Sequence, residues 1–529
     1  KVLQICLSMG QDIRLKTLNT FTIPALIKLQ AENFSAKPAL ISENETLSFA
    51  DLDNLSTNIA THLINLGILQ GDRVAIWAPN MNEWVLAAIA IHKAGGVLVP
   101  INTRMKGKEA AYILNNSEAK ILFSVKTFLG IDYFKLLEKE DLPHLEHQIA
   151  LDEDKAEDSN LAFSYLKEQT LNLEMPEVSE TDMADIIFTS GTTGKPKGVI
   201  SSHLQNIKVF DYWSTYIGLT ENDRYLIVNP FFHTFGYKAG WLAAVMKGAT
   251  AYPCPVFDAD KIIETINKQK ISMLPGPPTL YQSILTSKLI ITLEISSLRL
   301  GVTGAASIPV QLIKDMKEKL GFETVITAYG LTESTGVVTM CTPNDDYETI
   351  ATTSGCAIAD VEVKCVNQDG EEVGIDEPGE ILVRGYNITQ GYFNNPEATR
   401  EAIDRDGWLH TGDIGMLDAN GYIKITDRSK DMFIVGGFNA YPAEIENILC
   451  DHPAISQAAV VGIEDERMGE VAKAFIILKP DQDLDADSLL QWSKDNMANY
   501  KVPREVEFVR ELPTNAAGKI MKYLLKDES

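Results

Sequence analysis

The chain has 529 residues, 45% of them hydrophobic, which at about 150 residues per domain allows roughly three to four structural units and a substantial core. Its 47 basic and 73 acidic side chains leave a formal charge of −26, which argues against a surface built for nucleic acid or an anionic membrane. Any polyanionic ligand must therefore meet local cations. Six cysteines (Cys6, Cys254, Cys341, Cys356, Cys365, Cys450) are scattered without metal-ligand spacing, which fits a reducing cytoplasm and implies no zinc site. Residues 1–9 are too short and too poorly organised for a signal peptide, and no apolar run approaches the ~20 residues that span a bilayer. A cytoplasmic protein with no integral membrane segment is expected.

From residue 22 to 66 the apolar spacing is helical twice, with a short strand at 38–41 between, and 72–77 reads as a buried strand. Helix and strand patterns then alternate: a helix at 83–94, a strand at 96–100, a helix at 108–115 and a strand at 120–125, which predicts a parallel α/β layer with helices on both faces. The acidic stretch 138–160 reads as a solvated connection.

The apolar run Ile186, Ile187, Phe188 predicts a buried strand, and it opens into Thr189-Ser190-Gly191-Thr192-Thr193-Gly194-Lys195-Pro196-Lys197-Gly198. Glycines free backbone N–H groups to point at an anion, hydroxyls add donors and lysines add charge, so the loop suits a nucleotide phosphate, although the same composition occurs in solvated turns. It is not a Walker A loop: two residues separate Gly191 from Gly194, and Pro196 stands where a magnesium-holding Ser or Thr would follow the lysine.

Alternation resumes at 224–228, 260–269, 272–274, 297–303 and 324–328, predicting a second α/β layer. From 357 the strands shorten, with Asp369-Gly370 and Asn420-Gly421 as hairpin turns, so 361–425 should be a small antiparallel unit. The polar run Asp427 to Asp431 reads as a linker. After it come a helix opened by Pro442, strands at 458–463 and 473–478, a helix at 488–497 and a strand at 505–509, enough for a separate α+β domain.

The phosphate loop resembles that of the acyl-adenylate-forming enzymes, the superfamily of acyl-CoA synthetases, amino-acid adenylation domains and firefly luciferase. Further motifs extend the resemblance from Asp185 to Lys522: Gly304-Ala305-Ala306-Ser307, Tyr329-Gly330-Leu331-Thr332-Glu333, Gly407-Trp408-Leu409-His410-Thr411-Gly412-Asp413, Gly436-Gly437-Phe438 and Pro513-Thr514-Asn515-Ala516-Ala517-Gly518-Lys519. The resemblance implies an α/β fold. Its N-terminal adenylating domain would cover 1–428 (α/β layers 1–170 and 171–350, β unit 351–428), with a small mobile α+β C-terminal domain at 429–529.

By the same resemblance, Thr189 to Gly194 with Lys195 and Lys197 would hold ATP phosphates, and Gly304, Ala305 and Ala306 would wall the adenine. Tyr329 and Gly330 would border the base, with Ile425 on the nucleotide side. Thr332 would touch the α-phosphate, Glu333 would hold Mg2+, Asp413 would take the ribose hydroxyls and Arg428 would reach ribose or phosphate. His410 is read as structural. Lys519 would act in adenylation, Lys430 would be the hinge, and Gly436, Gly437 and Phe438 would line the CoA channel. A hinge is required because Lys519 and the two glycines lie in one small domain yet serve different half-reactions.

The segment Asn229 to Tyr237 lacks the aspartate that would pair a substrate ammonium, which argues against an amino-acid substrate. Phe235, Tyr237, Val302 and Val337 are assigned to an apolar acyl pocket, with His233 gating the carboxylate. Lys238 is either a lysine reaching solvent or a donor to a ring ketone. Several runs are very similar to those of bacterial ligases for a steroid-ring-derived propanoate, others to general fatty acyl-CoA synthetases. The expected partners are ATP, CoA and a hydrophobic fatty or alicyclic acid, with no nucleic acid; a homodimer is left open. A module loading a carrier protein and a non-catalytic nucleotide-binding protein are the alternatives.

Overall fold

A computed structural model describes residues 21–152, 162–168, 171–190, 195–304, 308–367, 369–428, 433–479, 482–513 and 522–526. Buried aliphatic strands build the first sheet, ordered Pro196–Ser202, Met183–Ser190, Val97–Pro100, Arg73–Trp77, Ile121–Ser124 and His147–Ala150. All pairs are parallel except Met183–Ser190 with Pro196–Ser202, which form a hairpin. The helix Asn82–Lys93, apolar nearly all round, is correspondingly buried along almost its whole length.

The acidic stretch expected as a connection instead supplies the edge strand His147–Ala150, whose Ile149 and Ala150 are buried. Four residues inside an acidic segment carry too little periodicity to be read as a strand. Residues 153–160 of that stretch lie outside the described residues.

The second sheet runs Thr46–Ser48, Pro38–Ile41, Thr250–Pro253, Arg224–Ile227, Leu300–Thr303, Thr324–Tyr329, Thr339–Met340 and Cys356–Ala357. The strand expected at 272–274 reduces to Met273, which bridges Tyr225 and Leu300 and so joins the two halves of this sheet. A division at residue 170 therefore does not separate the sheets. The early strand Pro38–Ile41 pairs parallel with Thr250–Pro253, while the later hairpin 183–202 joins the first sheet. Chain order cannot reveal such an exchange, because each strand's burial is satisfied in either sheet.

The antiparallel unit forms from Val361–Val366, Gly379–Gly385, Leu409–Leu417 and Ile423–Arg428. Beyond it, Phe433–Val435, Phe438–Ala440, Ile455–Asp465, Gly469–Leu478 and Glu505–Phe508 make a five-stranded sheet covered by Pro442–Cys450 and Ala486–Asn496. One apolar core runs from Ile23 to Ile423 and a separate one from Phe433 to Val502. No helix among the described residues is long and apolar enough to cross a membrane.

Candidate nucleotide and acyl site

The phosphate loop is the tip of the 183–202 hairpin, with Thr189 opposite Lys197 and Ser190 opposite Pro196. A lysine and a threonine thus flank its entrance; Gly191, Thr192, Thr193 and Gly194 lie outside the described residues, and Lys195 is exposed. Gly198 is closely packed: a Cβ there would come 2.6 Å from Ile186 Cγ2 and 3.1 Å from Phe188 Cζ.

The strand Thr324–Tyr329 ends beside this hairpin, and the turn Thr332–Ser334 carries Glu333 to it. Thr189 Oγ1 donates to Glu333 Oε1 at 3.3 Å and Tyr392 Oη donates to the same oxygen at 3.1 Å. The Glu333 carbonyl accepts from Thr389 N at 2.8 Å, which pins the backbone as well. Tyr392 was not legible as a site residue. It reaches Glu333 because it bridges Val199 on the hairpin. Burial, and then the adjacent Glu333 carboxylate, push its phenol well above the usual range, so it remains a neutral donor. Lys197 Nζ lies 5.2 Å from the Tyr392 ring. One carboxylate with two hydroxyls beside the hairpin expected to meet phosphate fits Mg2+, which is usually held by one or two carboxylates together with substrate phosphates. Thr332 lies half-buried in the same turn.

At the end of the same strand, Tyr329 donates its hydroxyl to Asp413 Oδ2 at 2.6 Å, so the residues expected at the base and at the ribose are already joined. Asp413 is on Leu409–Leu417, opposite Arg428 in the ladder, and half-buried Ile425 pairs with Gly415. Gly304 follows the neighbouring strand Leu300–Thr303, while Ala305, Ala306 and the Arg428 side chain lie outside the described residues. His410 is held by Glu380 at 3.2 Å, in keeping with a structural part.

On the acyl side, His233 caps the turn Thr234–Gly236 by accepting from Phe235 N at 3.2 Å. Its ring is exposed, and desolvation by the protein around it lowers its pKa. Phe235 is half-buried, and Val302 and Val337 are buried.

Two expectations fail here. Tyr237 is fully buried, bonded through its hydroxyl to His92 Nε2 at 3.1 Å and stacked on Trp241. Lys238 neither reaches solvent nor borders a pocket: it is completely buried, 3.0 Å from Asp185 Oδ1 and 2.9 Å from Ser201 Oγ. Both partners stand on the phosphate-loop hairpin, so Lys238 ties the Tyr237–Leu242 segment to that hairpin. An aromatic, glycine-bearing stretch reads equally as pocket wall or as core, and here the core takes these two side chains.

The small domain presents its Phe433–Val435/Phe438–Ala440 hairpin to the large one. Gly437, at φ +86°, lies close enough to Pro277 that a Cβ would stand 3.4 Å from Pro277 Cγ, and Arg104 stacks over the Phe438 ring at 4.4 Å. Lys430 and Lys519 lie outside the described residues.

A family model described as AMP-binding enzyme matches residues 27–393, and its C-terminal-domain counterpart matches 444–519. The chain belongs to the AMP-binding enzyme family. It is 44% identical over 96% of its length, and 98% of the relative's, to a ligase of Rhodococcus jostii (strain RHA1) named for joining CoA to a methyl-dioxo-octahydroindenyl propanoate. It is 43% identical, over 96% and 98%, to the ligase of the same name in Mycobacterium tuberculosis (strain ATCC 25618 / H37Rv). Among solved structures, a double mutant of o-succinylbenzoate CoA synthetase from Bacillus subtilis, bound with a product analogue, superposes with a TM-score of 0.82 at 30% identity, covering 95% of this chain and 98% of that one. The same enzyme with AMP scores 0.67, and with its acyl-adenylate 0.66, at nearly equal identity and coverage. As a member of this AMP-binding family, the chain is an acid–thiol ligase: acid, ATP and CoA give acyl-CoA, AMP and diphosphate through an acyl-adenylate, with Mg2+.

Proposed function

We propose that the chain joins CoA to a bulky alicyclic propanoate, in the cytoplasm, by two half-reactions separated by a rotation of the small domain. The observation that carries the substrate reading is the 44% identity, over nearly the whole of both chains, to a ligase named for such an acid. The apolar surroundings of Phe235, Val302 and Val337, and the absence of an acidic residue from Asn229 to Tyr237, support a hydrophobic acid without an ammonium.

In adenylation the hairpin and Lys197 bind the triphosphate, Tyr329 and Asp413 orient the nucleoside, and Glu333, steadied by Thr189 and Tyr392, would hold Mg2+. That ion, when bound, neutralises phosphate charge. Thr332 touches the α-phosphate, His233 admits the carboxylate, and Lys519 stabilises charge developing at the α-phosphate. Lys430 then pivots the small domain, and the Gly436-Gly437-Phe438 tip lines the thiol path. The docking of that tip against Pro277 supports this second arrangement, as does the higher score against the product-analogue complex than against the AMP and acyl-adenylate complexes of one enzyme.

A panel of acids assayed for CoA-dependent AMP release tests the reading. A keto-bearing alicyclic propanoate should exceed octanoate in kcat/KM. A preference for octanoate makes the chain a medium-chain acyl ligase, and turnover with a carrier-protein thiol but not with free CoA makes it a loading module.

A further inference from the structure

Lys501 is 1% exposed, yet its ammonium lies between two carboxylates from different domains: Glu109 Oε1 at 2.7 Å and Glu444 Oε1 at 2.8 Å. Glu109 stands in the first turn of Gly107–Ser117 in the large domain, where its other oxygen accepts from Lys106 N at 2.8 Å. Glu444 opens the helix Pro442–Cys450 of the small domain, the helix that directly follows the Gly436-Gly437 hairpin. Beside the triad, Tyr500 stacks on Phe438 with centroids 5.0 Å apart, and Phe438 carries Arg104 of the large domain on its ring.

The arrangement is built to separate. When the small domain turns away, Lys501 keeps Glu444 inside its own domain, and Glu109, already fixed by the helix start, is hydrated. When the domains close, the short two-sided geometry admits few orientations, and a buried ion pair can set such a register even where it adds little net stability.

We propose that Glu109 and Lys501 form an interdomain latch that holds the Gly436-Gly437 hairpin at the acyl side, making Glu109 a positioning residue for the thioester step alone. This rests on the two-step reading above. It assigns a function to a pair that touches neither nucleotide nor acid.

The test uses the full-length enzyme and Glu109→Gln, which keeps the side-chain shape and an oxygen for Lys106 N but removes the charge. Single-turnover adenylation should be unchanged, while transfer from pre-formed acyl-adenylate to CoA should fall by roughly one to two orders of magnitude. Fluorescence energy transfer between labels on the two domains should show a smaller docked fraction. A cycle with Lys501→Met should give coupling in the transfer step and none in adenylation. Equal loss in both half-reactions, or unchanged transfer with unchanged energy transfer, would overturn the latch. If no acid is adenylated by the wild type, the catalytic reading falls; a shift in docked fraction on Glu109→Gln would still support the latch, and its absence would overturn that too.

Discussion

Replacing Lys238 by Met removes half of a charge pair with no access to water. Burial lowers the lysine's pKa and raises that of Asp185, so desolvation opposes both charges and each is sustained by the other. Leaving the Asp185 carboxylate behind should cost about 3–5 kcal/mol. Lys238→Met should therefore lower the denaturation midpoint sharply and leave the ratio of kcat/KM between a keto-bearing acid and octanoate unchanged. Adding Asp185→Asn should recover part of the stability. A selective loss on the keto acid would return Lys238 to the pocket. Glu333 presents the opposite case: its motif was legible, and so was Thr189 as a phosphate-loop residue, but the Tyr392 hydroxyl that also reaches Glu333 was not. Tyr392→Phe deletes one hydrogen bond to a carboxylate, worth about 1.5–3 kcal/mol when the acceptor is charged. Pyrophosphate exchange should then need more Mg2+ for half-saturation, with Glu333→Gln showing the same shift more strongly. An unchanged Mg2+ titration in both would remove Glu333 as the metal ligand.

At the scale of elements, segments with an unbroken apolar run were legible and short segments of mixed polarity were not. The helix Asn82–Lys93 and the strands Arg73–Trp77 and Val97–Pro100 follow directly from runs whose burial permits one structure. The strands His147–Ala150 and Thr46–Ser48 hold four and three residues with polar positions among them, too few to show a period; the first pairs with Ile121–Ser124 and the second with Pro38–Ile41. The apolar run before the proposed phosphate loop does form a strand, Met183–Ser190. That the loop closes a hairpin, however, depends on Pro196–Ser202 pairing back, which its hydroxyls and lysine disguised. Tyr392 belongs to the same class of miss: a bridge to Val199, at long sequence separation, carries it to Glu333. Local pattern places a residue on its element, and only the packing of elements decides what it faces.

At the scale of the whole molecule, two steps must share one small domain, and two substitutions should separate them. Lys519→Ala removes the cation proposed to act at the α-phosphate, so adenylate formation should fall by several orders of magnitude while transfer from supplied acyl-adenylate to CoA stays near wild type. Lys430→Pro fixes φ at the proposed pivot without touching either chemistry, so adenylation should survive and transfer should fall. The two variants mixed as separate proteins should restore overall turnover if the acyl-adenylate is released by one and captured by the other, and the unmixed variants should each remain slow. Equal losses in both half-reactions for Lys519→Ala would show that this lysine supports the fold instead of the first step. Wild-type rates in both for Lys430→Pro would move the pivot elsewhere in the segment between Ile425 and Phe433, which joins the two cores.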